Sequence, residues 1–224
     1  MSLARDGYLL VEHLFDADMI APLKAAFADA DVARAERGGE IFGARNILAI
    51  PDVQNVARDP RLRAVLGEDM QAVRGIFFDK TPGANWPVAW HQDLTLALRE
   101  RHDVEGWSNW TVKRGVTHAQ APPEILARMM TMRLHLDDCG EDNGPLRVIA
   151  GSHDHGVLPR AEIVTRTREN AHIITAGAGD ALFMKPLILH ASSPARAPSH
   201  RRVLHLEFAP RDLLPSGLDW AFQP

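Results

Sequence analysis

The chain has 224 residues, 46% of them hydrophobic and 24% charged, which suits one globular domain and argues against disordered, collagen-like and membrane classes. A net charge of −4 and a pI near 6.2 supply no overall positive field, so neither nucleic acid nor a membrane surface is expected as a partner. The single cysteine, Cys139, excludes an internal disulfide, no apolar run approaches the roughly 20 residues needed to span a bilayer, and Met1 to Ala30 lacks the basic-then-apolar pattern of a secretion signal, so a cytoplasmic protein is expected.

In chain order, Gly7 to Phe15 is short and apolar enough for a strand, and Asp16 stands where an N-cap belongs. Met19, Ile20, Leu23, Ala26 and Phe27 then recur at the spacing of one helix face, which predicts an amphipathic helix over Ala17 to Asp29. Asp59-Pro60 opens a shorter helix with Leu62, Val65 and Leu66 turned inward. From Ala72 onward the punctuation is that of β-structure. Strands are expected at Val73 to Phe78, Ala89 to Leu96, Met129 to Leu136, Pro145 to Ile149, Ala171 to Ala176, Ala181 to Leu189 and Arg201 to Phe208. Turn clusters such as Thr81-Pro82-Gly83-Ala84-Asn85 and Gly177-Ala178-Gly179-Asp180 separate them. Helices first and many short strands afterwards imply a mainly β protein: a double-stranded β-helix, the jelly-roll or cupin-like barrel, with the N-terminal helices packed on one sheet. No repeat or linker interrupts 1–224, so a single domain is expected. Arg99 to Pro123 shows no clear element but holds Trp107, Trp110, His102 and His118, and a long loop of this kind inside a compact domain reads as a lid.

His91-Gln92-Asp93 lies on an expected strand, where residues two apart project to one face, so an imidazole and a carboxylate can meet one ion. With a second histidine from a late strand, this becomes the ligand set of a mononuclear Fe(II) site with one side open. His190 supplies that histidine, in a stretch ending His190-Ala191-Ser192, and Arg201 follows eleven residues later.

Five pieces stand in a particular order: an opening D-G-Y-L-L-V followed by a helix; K-T-P-G with W-H-Q-D; D-N-G-P-L-R-V-I-A-G-S-H; G-D-A-L-F with L-H-A-S; and H-R-R-V-L-H-L-E-F. In their order and spacing they resemble the phytanoyl-CoA dioxygenase family of Fe(II)/2-oxoglutarate oxygenases, over nearly the whole chain. The resemblance implies that His91, Asp93 and His190 hold iron(II), that Arg201 pairs with the distal carboxylate of 2-oxoglutarate, and that Ser192 donates to it. It further implies a dioxygenase that consumes molecular oxygen and releases succinate and carbon dioxide. Related halogenating enzymes lack the carboxylate ligand, so the presence of Asp93 implies hydroxylation of a small-molecule substrate.

The residues support the carry-over independently. A keto acid bound in a barrel leaves a carboxylate to neutralise, which a planar guanidinium does bidentately. Arg201, Val203, His205 and Glu207 share one strand face, while Arg202, Leu204, Leu206 and Phe208 share the other, which suits packing under helices; this favours Arg201 over Arg202 as the inward residue, and a slip of one residue would exchange them. Arg133 and His135 alternate with apolar neighbours and are expected to face the interior. There Arg133 would hold a carboxylate of co-substrate or substrate, or form an ion pair with Asp137 or Glu207. Arg45 and Asn46 line the same pocket or form a solvated turn. Gln92 should point away from the metal. Trp86, Trp90, Trp220, His153 and Cys139 are assigned to structure. The rival readings are a jelly-roll metal protein using Zn or Mn without 2-oxoglutarate, and a non-catalytic ligand-binding module.

Overall fold

The computed structural model describes residues 1–29, 33–37, 40–168 and 171–222. Seven antiparallel strands form the major sheet, in the order Tyr8–Val11, Ala181–Met184, Met130–His135, Arg201–Pro210, Met70–Lys80, Glu40–Arg45 and Ala33–Arg37. A minor sheet runs His172–Ile174, Leu146–Val148, His190–Ser192 and Val88–His91. A third sheet contains Thr95–Leu98, Val116–Gln120 and Ser108–Lys113. This is the expected mainly β jelly-roll. No helix among the described residues is long and apolar enough to cross a membrane.

The main core lies between the outer face of the major sheet and the N-terminal helices. Helix Ala17–Asp29 begins where expected because the Asp16 carboxylate accepts the Met19 N–H at 3.0 Å, satisfying one of the free donors at the helix start. Ile20, Leu23 and Phe27 are buried on its inner face against Phe77, Leu204, Leu206 and Phe208, and Phe27 stacks on Phe77 at 3.9 Å between centroids. Truncating a side chain as buried as Leu23 to alanine should cost roughly 2–5 kcal/mol. Helix Pro51–Ala57, which the sequence reading missed, adds Val53 and Val56 to this core.

With the apolar residues of the long strands committed to the helices, the pleat turns the alternate set inward. That set is Lys80, Phe78 and Arg74 from one strand, Arg201, His205 and Glu207 from the next, and Arg133 and Thr131 from the third, matched by the pairings Arg201 with Lys80, His205 with Ile76, and Glu207 with both Arg74 and Thr131. One end of the interior is closed by an apolar cluster of Tyr8, Leu146, Val148, Ile174, Leu182, Met184 and Ile188. The rest is polar.

Three expectations about elements need correction. Ala89 to Leu96 is not one strand but two, Val88–His91 and Thr95–Leu98, interrupted at 92–94 because the buried Gln92 side chain anchors the chain to other loops. Ala181 to Leu189 is likewise interrupted: the chain leaves the major sheet after Met184, turns through Lys185-Pro186, and re-enters the minor sheet at His190. Arg99 to Pro123 is not an elementless loop. It contains the hairpin of Ser108–Lys113 and Val116–Gln120, whose inner strand pairs with Thr95–Leu98 and buries His118, while Trp107 enters a core with Leu98, Leu126 and Trp220.

Candidate metal centre

The two strands that carry the expected ligands are neighbours in the minor sheet, and their register sets His190 directly opposite His91. Asp93 lies two residues past His91, just beyond the strand end, where its N–H donates to the Pro186 carbonyl at 2.9 Å. Gln92 turns away, as expected. Its amide donates to the carbonyls of Gly156 at 2.8 Å and Leu187 at 2.7 Å, and its oxygen accepts the Leu158 N–H at 2.8 Å. The segment carrying His91 and Asp93 is thereby clamped to the loop that precedes His190.

Each imidazole is oriented by its own backbone. His91 Nδ1 lies 2.8 Å from the Ala89 carbonyl and His190 Nδ1 lies 3.0 Å from the Ile188 carbonyl. A carbonyl only accepts, so both Nδ1 atoms carry the proton and both Nε2 lone pairs are presented forward. Those Nε2 atoms stand 3.6 Å from Asp93 Oδ1 and Oδ2 respectively. One ligand atom from each of the three residues falls within 4.8 Å of the others. Burial, opposed by the Asp93 carboxylate, brings the His190 imidazole down to about 4, so it is neutral at physiological pH. Asp93 is held below the ordinary carboxylate value: burial works against this, but His190, His205, His91 and Arg74 outweigh it. Two imidazoles with Nε2 turned forward and a carboxylate, converging with one side free, fit a divalent first-row metal of the Fe(II) kind.

The triad borders a cavity of about 240 Å³ lined also by Phe78, Trp86, Arg133, Ser192, Arg201 and His205. Arg201 faces inward as expected and Arg202 does not; the latter forms a two-pronged pair with Asp137 at 2.7 Å on the helix side. Arg201 donates Nη1 to the Gly144 carbonyl, while its buried Nε has no partner. Gly144 has φ 62°, and a Cβ there would stand 2.7 Å from the Ser193 carbonyl oxygen, so glycine is required at this close approach. Arg133 also lines the cavity with an unpartnered Nε, and its Nη1 lies 3.1 Å from His205 Nδ1. Neither ion pair anticipated for Arg133 forms, because Asp137 is taken by Arg202 and Lys24 and Glu207 by Arg74. Trp86 is a wall of the cavity rather than core packing, whereas Trp90 packs beside Ile149, Leu158 and Leu189.

Lys80 was not anticipated. It is 1% exposed, pairs in register with Arg201, and donates to Ser192 Oγ at 3.1 Å and to the Ser193 carbonyl at 2.8 Å. Burial, reinforced by Arg201, brings its ammonium down to about 7. The signal was present in K-T-P-G, but a lysine at a strand end reads as solvated until the opposing strands are known.

The family model described as phytanoyl-CoA dioxygenase matches residues 3–203. The chain belongs to the phytanoyl-CoA dioxygenase family. Among curated relatives, this family member is 26% identical to an ectoine dioxygenase of Bordetella bronchiseptica over 167 residues, 68% of this chain and 47% of that protein. It thus spans about half the length of that relative. Among solved structures it resembles EctD from S. alaskensis with bound Fe (25% identity, TM-score 0.67, covering 93% of this chain and 74% of that one). EctD has also been solved with 2-oxoglutarate and 5-hydroxyectoine (23%, TM-score 0.69, 93% and 73%). AviO1 from Streptomyces viridochromogenes Tue57 shares the fold along nearly its full length (21%, TM-score 0.66, 95% and 94%).

Proposed function

We propose that this chain is an Fe(II)- and 2-oxoglutarate-dependent dioxygenase that hydroxylates an aliphatic carbon of a small molecule. The observation that carries the reading is the convergence of His91, Asp93 and His190 at a cavity whose wall also holds the unmatched guanidinium groups of Arg201 and Arg133. Family membership and the iron and 2-oxoglutarate bound by EctD support the same pairing of metal and keto acid. Iron, the keto acid and dioxygen would together supply oxidation of a substrate C–H bond, with succinate and carbon dioxide as by-products.

The chain's own residues do the holding and aiming. His91, Asp93 and His190 would hold the metal, the two imidazoles with their tautomers preset by the Ala89 and Ile188 carbonyls. Arg201 offers its buried guanidinium to the distal carboxylate of 2-oxoglutarate. Lys80 donates to the Ser192 oxygen, which leaves the Ser192 hydroxyl proton free to point at the same carboxylate. Arg133, with Nη1 3.1 Å from His205 Nδ1, adds positive charge to the same cavity, where it would meet a carboxylate of the co-substrate or substrate. The segment 99–123 serves as the lid, and the location is the cytoplasm.

Anaerobic addition of 2-oxoglutarate to the iron-loaded protein should develop a visible charge-transfer band, and aerobic turnover should release succinate. Asp93→Ala should lose iron on desalting and show neither signal. Full metal retention by the parent with no band and no succinate would sink the dioxygenase reading and leave a metal protein that does not use the keto acid.

A further inference from the structure

Three neighbouring strands of the major sheet set the polar groups of the interior in a fixed order. Arg201 stands opposite Lys80, His205 opposite Arg133, and Glu207 opposite both Arg74 and Thr131. His205 lines the same cavity as His91, Asp93 and His190, and a four-residue step along the strand puts it roughly 13 Å from Arg201. Glu207 and Thr131 follow one pleat beyond, on the side away from the co-substrate anchor.

The His205 ring is held by two contacts. Arg133 Nη1 lies 3.1 Å from its Nδ1; a guanidinium has only donors, so Nδ1 accepts and the ring proton sits on Nε2. Phe78 meets the ring edge-on at 5.8 Å between centroids. Nε2 then stands 3.6 Å from Glu207 Oε1, too far for a hydrogen bond, so its proton faces an acceptor that it does not reach. Glu207 accepts at Oε1 from Arg74 at 2.8 Å, and a carboxylate has further lone pairs to offer. Across from it the Thr131 hydroxyl, 1% exposed, has no hydrogen-bond partner. A buried hydroxyl left unmatched costs stability until a ligand uses it. Among the described residues Glu207 is the only carboxylate at the inward positions of these three strands, and Arg74 matches it, so His205, Glu207, Thr131 and Arg74 together carry no net charge. Arg45, the next cation, is two strands away from His205.

We propose that His205, Glu207 and Thr131 form a subsite for a hydroxyl group of the primary substrate, so that the enzyme acts on an uncharged alcohol or polyol. An oxygen about 2.8 Å from each neighbour can sit across the 3.6 Å gap, accepting from His205 Nε2–H and donating to the Glu207 carboxylate. An ammonium offers His205 no acceptor and a carboxylate offers Glu207 no proton, whereas a hydroxyl serves both. The Thr131 hydroxyl, able to donate or accept, meets the second lone pair of that oxygen or a neighbouring hydroxyl of a polyol. Calling this ligand the substrate rests on the dioxygenase reading above; the hydroxyl site itself does not.

The test is an NMR-monitored titration of the Zn(II)-loaded protein, with 2-oxoglutarate present, using butan-1-ol, its isomer 1-methoxypropane, butylammonium and butanoate. Butan-1-ol should bind about tenfold more tightly than the ether, which cannot donate, as expected for one added hydrogen bond to a charged acceptor, and more tightly than either ion. Ring nitrogen shifts of His205 should place its proton on Nε2, and the alcohol should move that proton's signal. Thr131→Val keeps the side-chain shape and removes the unpartnered hydroxyl; it should raise the melting temperature of the ligand-free protein and reduce the preference for the alcohol, a combination that a purely structural threonine would not give. His205→Met should abolish the preference, and Thr131→Val carries the test if that variant does not fold. Equal binding of alcohol and ether, no binding of either, tighter binding of one of the ions, or a preference undiminished in Thr131→Val would overturn the proposal and leave a gap that holds only water. A preference for the alcohol that depends on Thr131 in a protein that fails to bind 2-oxoglutarate would sink the dioxygenase reading alone.

Discussion

Gln92 is not a ligand, yet the metal site should depend on it. Replacing it with leucine keeps the volume but removes three buried hydrogen bonds, to the Gly156 and Leu187 carbonyls and from the Leu158 N–H. Each such bond contributes a net ~1 kcal/mol, and a buried group left without a partner costs ~1–3 kcal/mol; with some compensation from the apolar side chain, a loss of about 3 kcal/mol is expected. For a domain of this size that lowers the melting temperature by roughly 6–12 °C. Metal retention should fall as well, because the clamp sets Asp93 relative to His190. Urea denaturation of the metal-free protein measures the first effect, and metal analysis after dialysis against a weak chelator measures the second. Gln92→Glu sharpens the test. It keeps an acceptor for Leu158 but sets a carboxylate against two carbonyl oxygens, so its deficit should shrink as pH falls and the carboxyl becomes a donor. A loss below about 1 kcal/mol in Gln92→Leu, well under the sum for three buried bonds, would refute the reasoning.

Arg201→Ala should weaken 2-oxoglutarate binding by about 1.5–3 kcal/mol, the range for a bond to a charged group, while iron content stays at the parent level; titration of the charge-transfer band measures it. Lys80→Met should weaken 2-oxoglutarate binding at pH 6 and matter less at pH 9, since the ammonium titrates near 7 in the free protein and the bound dianion favours its charged form. The same substitution should stabilise the metal-free fold at pH 7 and below, where keeping this lysine charged and buried is unfavourable; isothermal denaturation across pH reads this. His135 is brought down to about 3 by burial and by Arg133 and Arg201. Between about 3 and the ordinary histidine value of 6.5 the unfolded chain therefore binds a proton that the folded one does not, and stability falls as pH drops through that window, by at most about 1.4 kcal/mol per pH unit. His135→Gln should flatten that slope, and an unchanged slope would show that other groups carry it.

Local sequence was enough for the helix Ala17–Asp29, since its cap and its apolar stripe lie within thirteen residues. It was enough, too, for the alternation on Arg201–Pro210 and Met130–His135 that separates charged from apolar residues, and for the nomination of His91, Asp93 and His190, whose identities and order mark the family. What it could not supply was the assembly of distant strands. Alternation favoured the apolar set of Arg201–Pro210 under the helices and Arg201 inward, as the structure has it, but it did not say which side chains of other strands share the cavity. Lys80, Trp86 and the partners of Arg133 became visible only through register, because whether a charged side chain is buried depends on strands about fifty to over a hundred residues away along the chain. The hairpin at 108–120 was passed over for a related reason: its outer strand is largely exposed, so it lacks the alternating apolar signal, and its pairing with Thr95–Leu98 holds it in place. Residue types and order are written locally and survive reading in one dimension; burial, pairing and the balance of charge are properties of contacts, and contacts exist only once the chain has closed on itself.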